Sequence, residues 1–243
     1  MELVTDELGR YLLIEKLKLP YTKITSALDT LGDFHPDLWA LGKVLTYSMQ
    51  ESPFIHVDGD VYIFRKFEDR VEQAPIIAQN LEPDRGIYSD TLNHVRSKFN
   101  FVPESLNKLP LKDLQALNAG VFGGNDIETI RRYSQTAFDF VNRNAKTNTQ
   151  VNLGKFNCVY EQLLLLAIAD ESNVDIEFIF PGAKDNPDCL GSFWQVPDKT
   201  TYIHLLGGLK LQHYYFRTME MILKRDYPEY HQRVHELISV YEL

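Results

Sequence analysis

The sequence predicts an α/β fold in which helices flank a mixed, mainly parallel sheet. Short apolar segments typical of strands alternate along the chain with segments whose apolar residues recur at helical spacing, which is the pattern of βαβ units. The 243 residues are 44% hydrophobic and 24% charged, which is enough for one sizeable core. We find no internal repeat that would indicate a solenoid. We therefore predict a single domain over residues 1–243, with residues 211–243 as a C-terminal helical tail.

The predicted elements follow from hydrophobic spacing, capping residues and prolines. Asp6 precedes the first helix as an N-cap, and Pro20 ends it. Residues 53–64, PFIHVDGDVYIF, are typical of a buried strand that is interrupted at Asp58-Gly59-Asp60. The predicted strands cover residues 2–5, 21–26, 53–64, 76–80, 117–124, 174–180 and 201–206. The predicted helices cover residues 7–17, 38–50, 85–98, 127–144, 156–169 and a pair divided at Pro228, and residues 101–111 are predicted as a loop.

Charge and cysteine content limit the functional classes. The formal net charge is −9, so neither a nucleic acid nor an anionic membrane surface is expected as a partner. Cys158 and Cys189 lack the spacing of a metal site or a disulfide framework, and we interpret them as free thiols of a reducing compartment. No apolar run reaches the roughly 18 residues of a membrane span, and Met1 is not followed by a signal peptide. These observations predict a cytoplasmic protein without a transmembrane segment.

Asp58 and Asp60 are the first candidate metal ligands. Carboxylates at the end of a buried strand are unfavourable unless a partner compensates them, and hard divalent cations bind carboxylate oxygens. Gly59 allows a ligand to approach, and the one-residue spacing directs both carboxylates to the same side. The alternative is a solvated turn between two strands, because Asp-x-Asp alone is a short motif.

Two later strand ends carry residues suited to a ligand. Small residues around Gly120 make room for a bulky group, and the Asn118 amide both donates to and accepts from hydroxyl groups. His204 is followed by a glycine turn at Gly207 and then by Lys210, a set that suits a metal-bound phosphate. The alternatives are a tight strand-to-helix turn for the first segment, and a structural histidine with a surface lysine for the second.

Three polar residues lie on predicted helices. Glu161 and Gln162 interrupt an otherwise apolar helix, which indicates either a cavity-facing pair or the exposed stripe of a half-buried helix. Lys43 lies on the helix before the Asp58 strand, from which it would reach a diphosphate, although lysines on helices are usually solvated. His56 is interpreted as packed beneath the Asp58 segment and not as a ligand.

The ordered set of these motifs resembles the metal-dependent GT-A glycosyltransferases of the glycogenin and bacterial galactosyltransferase type, which retain anomeric configuration. That family carries a basic residue on a helix, an Asp-x-Asp strand end, an Asn-x-Gly-Val strand, an acidic-Gln pair on a helix and a C-terminal His-x-x-Gly-x-x-Lys. The matching residues are Lys43, Asp58, Asp60, Asn118, Gly120, Val121, Glu161, Gln162, His204, Gly207 and Lys210. Residues 35–64 are also similar to an uncharacterised bacterial family of glycosyltransferase-like domains. The resemblance covers most of residues 1–226.

The resemblance implies a GT-A-like fold and transfer of a sugar from a nucleotide-diphosphate donor, UDP-linked, to an acceptor that is a glycan, a lipid or a protein. It implies retention of configuration and a metal cofactor, Mn²⁺ or Mg²⁺, held by Asp58, Asp60 and His204. The implied substrate-binding residues are Lys43, Asn118, Gly120, Gly207 and Lys210. The implied catalytic residues are Glu161 and Gln162, with Gln162 near the anomeric carbon.

Three departures from the family pattern leave alternatives open. Leu211-Gln212 stands where the family has Pro-Trp, and Glu161 stands where Asp is usual. The first β-α unit of the fold, which binds the nucleotide base, has no counterpart in the sequence. The main alternative is therefore a catalytically degenerate nucleotide-sugar-binding module. A nucleotidyltransferase is less favoured, because residues 1–26 contain no Gly-rich phosphate loop.

Overall fold

The structure is a computed structural model that describes residues 1–147, 150–181 and 191–241. It is mixed α/β, as predicted. Its contacts divide the described residues into two compact units, one formed by residues 1–34 with residues 205–243 and the other by residues 35–204. The single domain over residues 1–243 stays a prediction.

The helices and strands are numbered here in chain order. The strands are β1 (Glu2–Thr5), β2 (Lys23–Ser26), β3 (Phe54–Val57), β4 (Val61–Ile63), β5 (Ile76–Pro83), β6 (Gln115–Gly124), β7 (Ile176–Phe178) and β8 (Tyr202–His204). The α-helices are α1 (Glu7–Arg10), α2 (Ala40–Ser48), α3 (Asp69–Glu72), α4 (Ile87–Lys98), α5 (Glu104–Lys108), α6 (Ile127–Arg143), α7 (Leu153–Cys158), α8 (Leu164–Glu171), α9 (His213–Asp226) and α10 (Pro228–Tyr241).

The larger unit is built on a four-stranded sheet in the order β3-β6-β5-β7. The prediction of a mixed sheet is confirmed. β3, β5 and β7 share one direction, but β6 is antiparallel to both β3 and β5, so most neighbouring strands in this sheet are not parallel. The sequence pattern implied a crossover between β5 and β6. Instead, Pro83 pairs with Gln115, so β5 and β6 are antiparallel neighbours. The connection that carries α4 and α5 therefore begins and ends at the same end of these two strands.

A second ribbon of two strands brings distant segments together. β4 and β8 pair antiparallel, with Val61 opposite His204. β3 pairs with β6 so that Val57 lies opposite Val121. The backbone N–H of Asp58 continues this ladder by donating to the Gly120 carbonyl at 2.8 Å. The segment between β3 and β4 therefore lies beside both β6 and β8.

Aromatic side chains form much of the core of this unit. The rings of Tyr47 and Phe122 lie 4.7 Å apart between centroids, and those of Phe140 and Phe156 lie 5.1 Å apart, all four fully buried. Each ring buries about 150–250 Å² and gains further from edge-to-face contact. The first pair joins α2 to β6, and the second joins α6 to α7.

A π-helical turn separates α7 from α8. The backbone runs as one helical segment from Leu153 to Glu171, with Val159–Leu163 as the π turn. The segment was predicted as an apolar helix over residues 156–169. The π turn contains Glu161 and Gln162, the polar pair that interrupts the apolar sequence.

The smaller unit combines a parallel strand pair with the tail helices. β1 pairs with β2 in parallel, and the Asp6 side chain caps α1 by accepting from the Gly9 backbone N–H at 2.5 Å. A π-helical segment, Tyr11–Lys16, continues α1. Pro228 is the first residue of α10, a position where its missing N–H has no helical partner to lose. Arg233 of α10 donates to the Leu17 carbonyl at 2.8 Å.

The predicted loop at residues 101–111 is wrong in part. It contains α5, which begins after Pro103 and buries Leu106. Arg96 donates to the carbonyls of Leu106 and Leu109, and this satisfies the end of the short helix. A helix of five residues is too short to show a helical repeat of apolar residues in the sequence.

Two expectations concern compartment and membrane. Cys158 is a free thiol, and its burial together with the Glu161 carboxylate raises its pKa to about 11. Cys189 lies outside the described residues. Among the helices of the described ranges, none combines the length and the apolar character needed to cross a bilayer.

Candidate metal centre

Asp58, Asp60 and His204 converge on one place in the unit of residues 35–204. Each offers one ligand atom, and these three atoms all lie within 4.8 Å of one another. The His204 Nε2 atom is 3.2 Å from Asp60 Oδ1. The side chains are 21%, 19% and 4% exposed respectively, which does not fit the alternative of a fully solvated turn. Residues separated by almost 150 positions thus form a set of two carboxylates and one imidazole, and we call it the strand-end trio.

The orientation of His204 is fixed by Gln79. Gln79 Oε1 accepts a hydrogen bond from the Tyr202 hydroxyl at 3.1 Å and lies 2.7 Å from His204 Nδ1. Gln79 Nε2 donates to Asn80 Oδ1 at 3.1 Å, which identifies Oε1 as the acceptor. His204 Nδ1 therefore carries a proton, and in the neutral ring Nε2 presents a lone pair to Asp60. Two acceptors at 3.2 Å require a proton or a cation between them, so this contact fits a metal-binding site.

Gly120 makes the position of His204 possible. A Cβ atom at Gly120 would overlap the His204 ring at Cε1 and Nδ1. By contrast, a Cβ at Gly59 would meet nothing within 4 Å. The glycine in the Asn-x-Gly segment therefore leaves room for a protein side chain, whereas the sequence pattern predicted room for a ligand.

Asp58 is held by two basic partners. Its Oδ2 accepts from Lys43 Nζ at 3.0 Å, and its Oδ1 lies 3.1 Å from His56 Nε2. Burial alone would raise the pKa of Asp58, but the His56 hydrogen bond and the Lys43 charge outweigh burial and lower it. Asp58 is therefore ionised at neutral pH. The ring of His56 packs edge-on against Tyr47 at 5.1 Å, as expected for a residue beneath the site.

Lys43 and Glu161 form a buried ion pair. Lys43 Nζ lies 2.5 Å from Glu161 Oε1, and the Glu161 side chain is fully buried. Burial raises the pKa of Glu161, although the Lys43 charge opposes this. Burial also disfavours the Lys43 cation, but Glu161 and Asp58 together raise its pKa overall. Glu161 Oε2 is buried without a hydrogen-bond partner in the described part of the chain.

A hydrogen-bonded row connects Asn118 to Gln162. Asn118 Nδ2 donates to Glu82 Oε1 at 2.6 Å, and the Tyr88 hydroxyl lies 3.0 Å from Glu82 Oε2. Tyr88 also donates to Gln162 Oε1 at 2.6 Å. Asn118 Oδ1 accepts from the Gly120 N–H at 2.9 Å. Asn118 and Gln162, predicted from separate motifs, are thus linked through Glu82 and Tyr88, which no motif in the sequence indicated.

Gly207 and Lys210 belong to the unit of residues 1–34 and 205–243. Both lie on the 3₁₀ turn Gly207–Leu211, where Gly207 has a left-handed φ of 51°. That backbone conformation explains the glycine. The Lys210 side chain is exposed. Their proposed contact with a diphosphate stays a prediction.

The sequence contained a signal for one of the missed residues. Gln79 and Asn80 are polar residues that follow the apolar start of β5, and both are fully buried. Buried amides require hydrogen-bond partners, so this pair indicated a polar group nearby. Glu82 and Tyr88 gave no comparable signal, because each is an ordinary residue for a strand end and a helix start.

The site and fold define a mixed α/β protein with a partly buried Asp/Asp/His cluster of metal-ligand type. The chain belongs to DUF6734, a family of unknown function, whose sequence profile matches residues 1–237. Neither the curated proteins nor the solved structures include a match to this chain.

Proposed function

We propose that this protein is a metal-dependent glycosyltransferase that uses a nucleotide-diphosphate sugar, UDP-linked, as donor. The observation that carries the proposal is the convergence of Asp58, Asp60 and His204. Asp58 and Asp60 adjoin in sequence, but His204 joins them only through the pairing of β4 with β8, as the metal-binding role implied by the resemblance requires. We propose retention of anomeric configuration, an acceptor that is a glycan, lipid or protein, and a cytoplasmic location.

The donor atoms of the strand-end trio fit Mn²⁺ or Mg²⁺. Two carboxylates with one imidazole are a mainly oxygen set, which suits hard cations, and Mn²⁺ also accepts imidazole nitrogen. Gln79 orients His204 in the manner of outer partners that direct metal-bound imidazoles. When bound, such an ion neutralises charge on a departing diphosphate.

The surrounding residues would position the sugar. Asn118 and Gln162 lie at the two ends of the row through Glu82 and Tyr88, so their amide groups are held in place before a ligand arrives. Preorganised amides select a hydroxyl pattern, because each unmatched buried polar group is costly. We propose that this row borders the sugar pocket.

Glu161 favours the second candidate, a catalytically degenerate nucleotide-sugar-binding module. The residue is fully buried and ion-paired, so it has no access to a substrate in this conformation. Gln162 already accepts from Tyr88. With the acidic-Gln pair engaged in internal contacts, donor binding without transfer is the expected behaviour of this alternative.

The test is nucleotide release from a panel of UDP-, GDP-, ADP- and dTDP-sugars in MnCl₂, with and without EDTA. We expect release from one donor that EDTA abolishes. Asp60→Asn should reduce the rate by at least about 100-fold, since even outer partners of metal ligands contribute 10–100-fold. Asp175→Asn, an exposed aspartate in the same unit, is the matched control and should keep the rate.

Donor binding is measured in parallel by calorimetry. Metal-dependent binding without release, lost in Asp60→Asn, identifies the binding module. A protein that neither binds nor turns over any donor of the panel in Mn²⁺ or Mg²⁺ contradicts both candidates.

A further inference from the structure

A second cluster of metal-ligand side chains lies on the tail helices, within the unit of residues 1–34 and 205–243. Glu220 lies on α9, and His231 and His235 lie on α10 at positions i and i+4, which places both rings on one helix face. One ligand atom from each falls within 4.8 Å of the other two. We call this set the tail trio.

The distances in the tail trio match the ligands of a tetrahedral ion. His231 Nε2 and His235 Nε2 are 3.0 Å apart, and Glu220 Oε1 lies 3.9 Å from the first and 3.5 Å from the second. Ligand atoms about 2.0–2.1 Å from a tetrahedral Zn²⁺ are separated by roughly 3.3–3.4 Å. The three separations lie on both sides of that value, so small side-chain rotations would seat an ion between them.

The chemistry of the contact also calls for a positive centre. With the ring protons on Nδ1, the two Nε2 atoms at 3.0 Å and a carboxylate oxygen all present lone pairs to the same point. One shared proton satisfies a single pair of these atoms, whereas one cation satisfies all three.

Glu220 is oriented by a neighbour that does not occupy the site. Arg217, one turn earlier on α9, donates from Nη1 to Glu220 Oε2 at 2.7 Å. This leaves Oε1 directed at the histidines, and it resembles the outer hydrogen bonds that fix metal-bound carboxylates. The His231 and Glu220 side chains are 17% and 23% exposed, whereas His235 is half exposed and offers a route for entry.

We propose that Glu220, His231 and His235 form a binding site for Zn²⁺ or a similar borderline divalent metal. Two imidazoles and one carboxylate are a ligand set found at zinc sites, with a fourth position left to water or a further ligand. Since the ligands come from both α9 and α10, the bound ion cross-links the two tail helices. This site is independent of the strand-end trio and of the proposed transferase activity.

The test is a zinc titration with a chromogenic competitor, in the full chain carrying Asp60→Asn so that the strand-end trio does not contribute. This background should bind one Zn²⁺. Adding Glu220→Gln, His231→Gln or His235→Gln should weaken zinc binding by at least about 100-fold. His213→Gln, at the start of α9 outside the trio, is the matched control and should bind as the background does.

X-ray absorption on the zinc-loaded background supplies a readout of the ligands. Two imidazoles in the zinc coordination shell are expected, and one is expected after His235→Gln. Far-UV circular dichroism without zinc checks that each variant folds, and Glu220→Gln preserves shape if a histidine variant does not. The proposal is overturned if the background binds no zinc at about 100 µM free metal, or if the variants bind zinc as tightly as the background.

Discussion

The strand-end trio and the tail trio reach similar geometry by different routes. Asp58, Asp60 and His204 come together only when β3 has paired with β6 and β4 has paired with β8, which are strands far apart in the sequence. Glu220, His231 and His235 lie within sixteen positions on two consecutive helices, so a helical turn and one helix–helix contact bring them together.

The two trios also differ in the residues that surround them. The strand-end trio is enclosed by further polar residues, with Gln79 behind His204 and the Lys43–Glu161 pair beside Asp58. The tail trio is flanked by Arg217, which donates to Glu220, and its His235 side chain is half exposed. The first site is therefore part of the folded core, whereas the second lies at a surface. Substitutions should therefore affect stability at the first site and only metal binding at the second.

The largest expected effect is on stability, from Lys43→Met. It leaves the fully buried Glu161 carboxylate without its cation, and breaking such a pair typically costs about 3–5 kcal/mol. Urea unfolding without metal measures the loss. Lys155→Met, an exposed lysine on α7, should change stability by less than about 0.5 kcal/mol.

The double variant Lys43→Met/Glu161→Gln sharpens this result. It removes both charges, so most of the lost stability should return. If Lys43→Met alone lowers the free energy of unfolding by less than about 1 kcal/mol, the Lys43–Glu161 pair does not stabilise the fold. The contrast between a strand-end trio in the core and a tail trio at the surface would then be wrong.

Gly120→Ala should affect both folding and metal binding at the strand-end trio. The new Cβ overlaps the His204 ring, so the ring must move, at a cost of about 1–3 kcal/mol. Mn²⁺ binding, followed by calorimetry, should weaken at least about 10-fold. Gly59→Ala is the control between the two aspartates, because its Cβ meets nothing within 4 Å and stability should hold. Equal losses in both variants would show that His204 is not held in the observed position.

The smallest effect is expected at the tail trio, from Arg217→Met. Zinc affinity in the Asp60→Asn background should fall about 10-fold, since Glu220 loses the partner that orients it. Without zinc, the free energy of unfolding should change by no more than about 0.5 kcal/mol, because the Arg217 side chain is 57% exposed. Arg225→Met, whose guanidinium pairs with Asp226, controls for removing a charge from the same helix. A large loss of stability would mean that the tail trio is also part of a core.

Much of the fold and part of the strand-end trio could be predicted from the sequence. Asp58 and Asp60 could be recognised as candidate metal ligands because paired carboxylates are unusual at the end of an apolar strand. The position of His204 beside them depends on the β4–β8 register, which no local pattern specifies. The glycine turn and lysine that follow His204 suggested a metal-bound phosphate, but only the resemblance placed this histidine with the two aspartates.

The remaining details depend on pairing and packing. The antiparallel direction of β6 was missed because a helical connection indicates a crossover in most α/β chains, whereas this one returns to the same edge. The tail trio was missed although its signal was local, since His231 and His235 stand four residues apart on a predicted helix. Glu220 completes that pattern only across a helix–helix contact.

The π turn at Val159–Leu163 has a consequence for the length of this segment. A π turn holds one residue more than the α-helical turn that it replaces, and at 3.6 residues per turn that residue accounts for about 100° of rotation. The wider turn takes up that rotation, so α7 and α8 keep the relative orientation of one continuous helix. Deleting one residue there would restore a regular helix and leave both flanking helices packed as they are, with Leu164 and Leu165 in the core. Only residues of the turn, Glu161 among them, would then face a different direction. A homologous chain that is one residue shorter in this segment should therefore keep the packing of α8 and lack the buried Lys43–Glu161 pair.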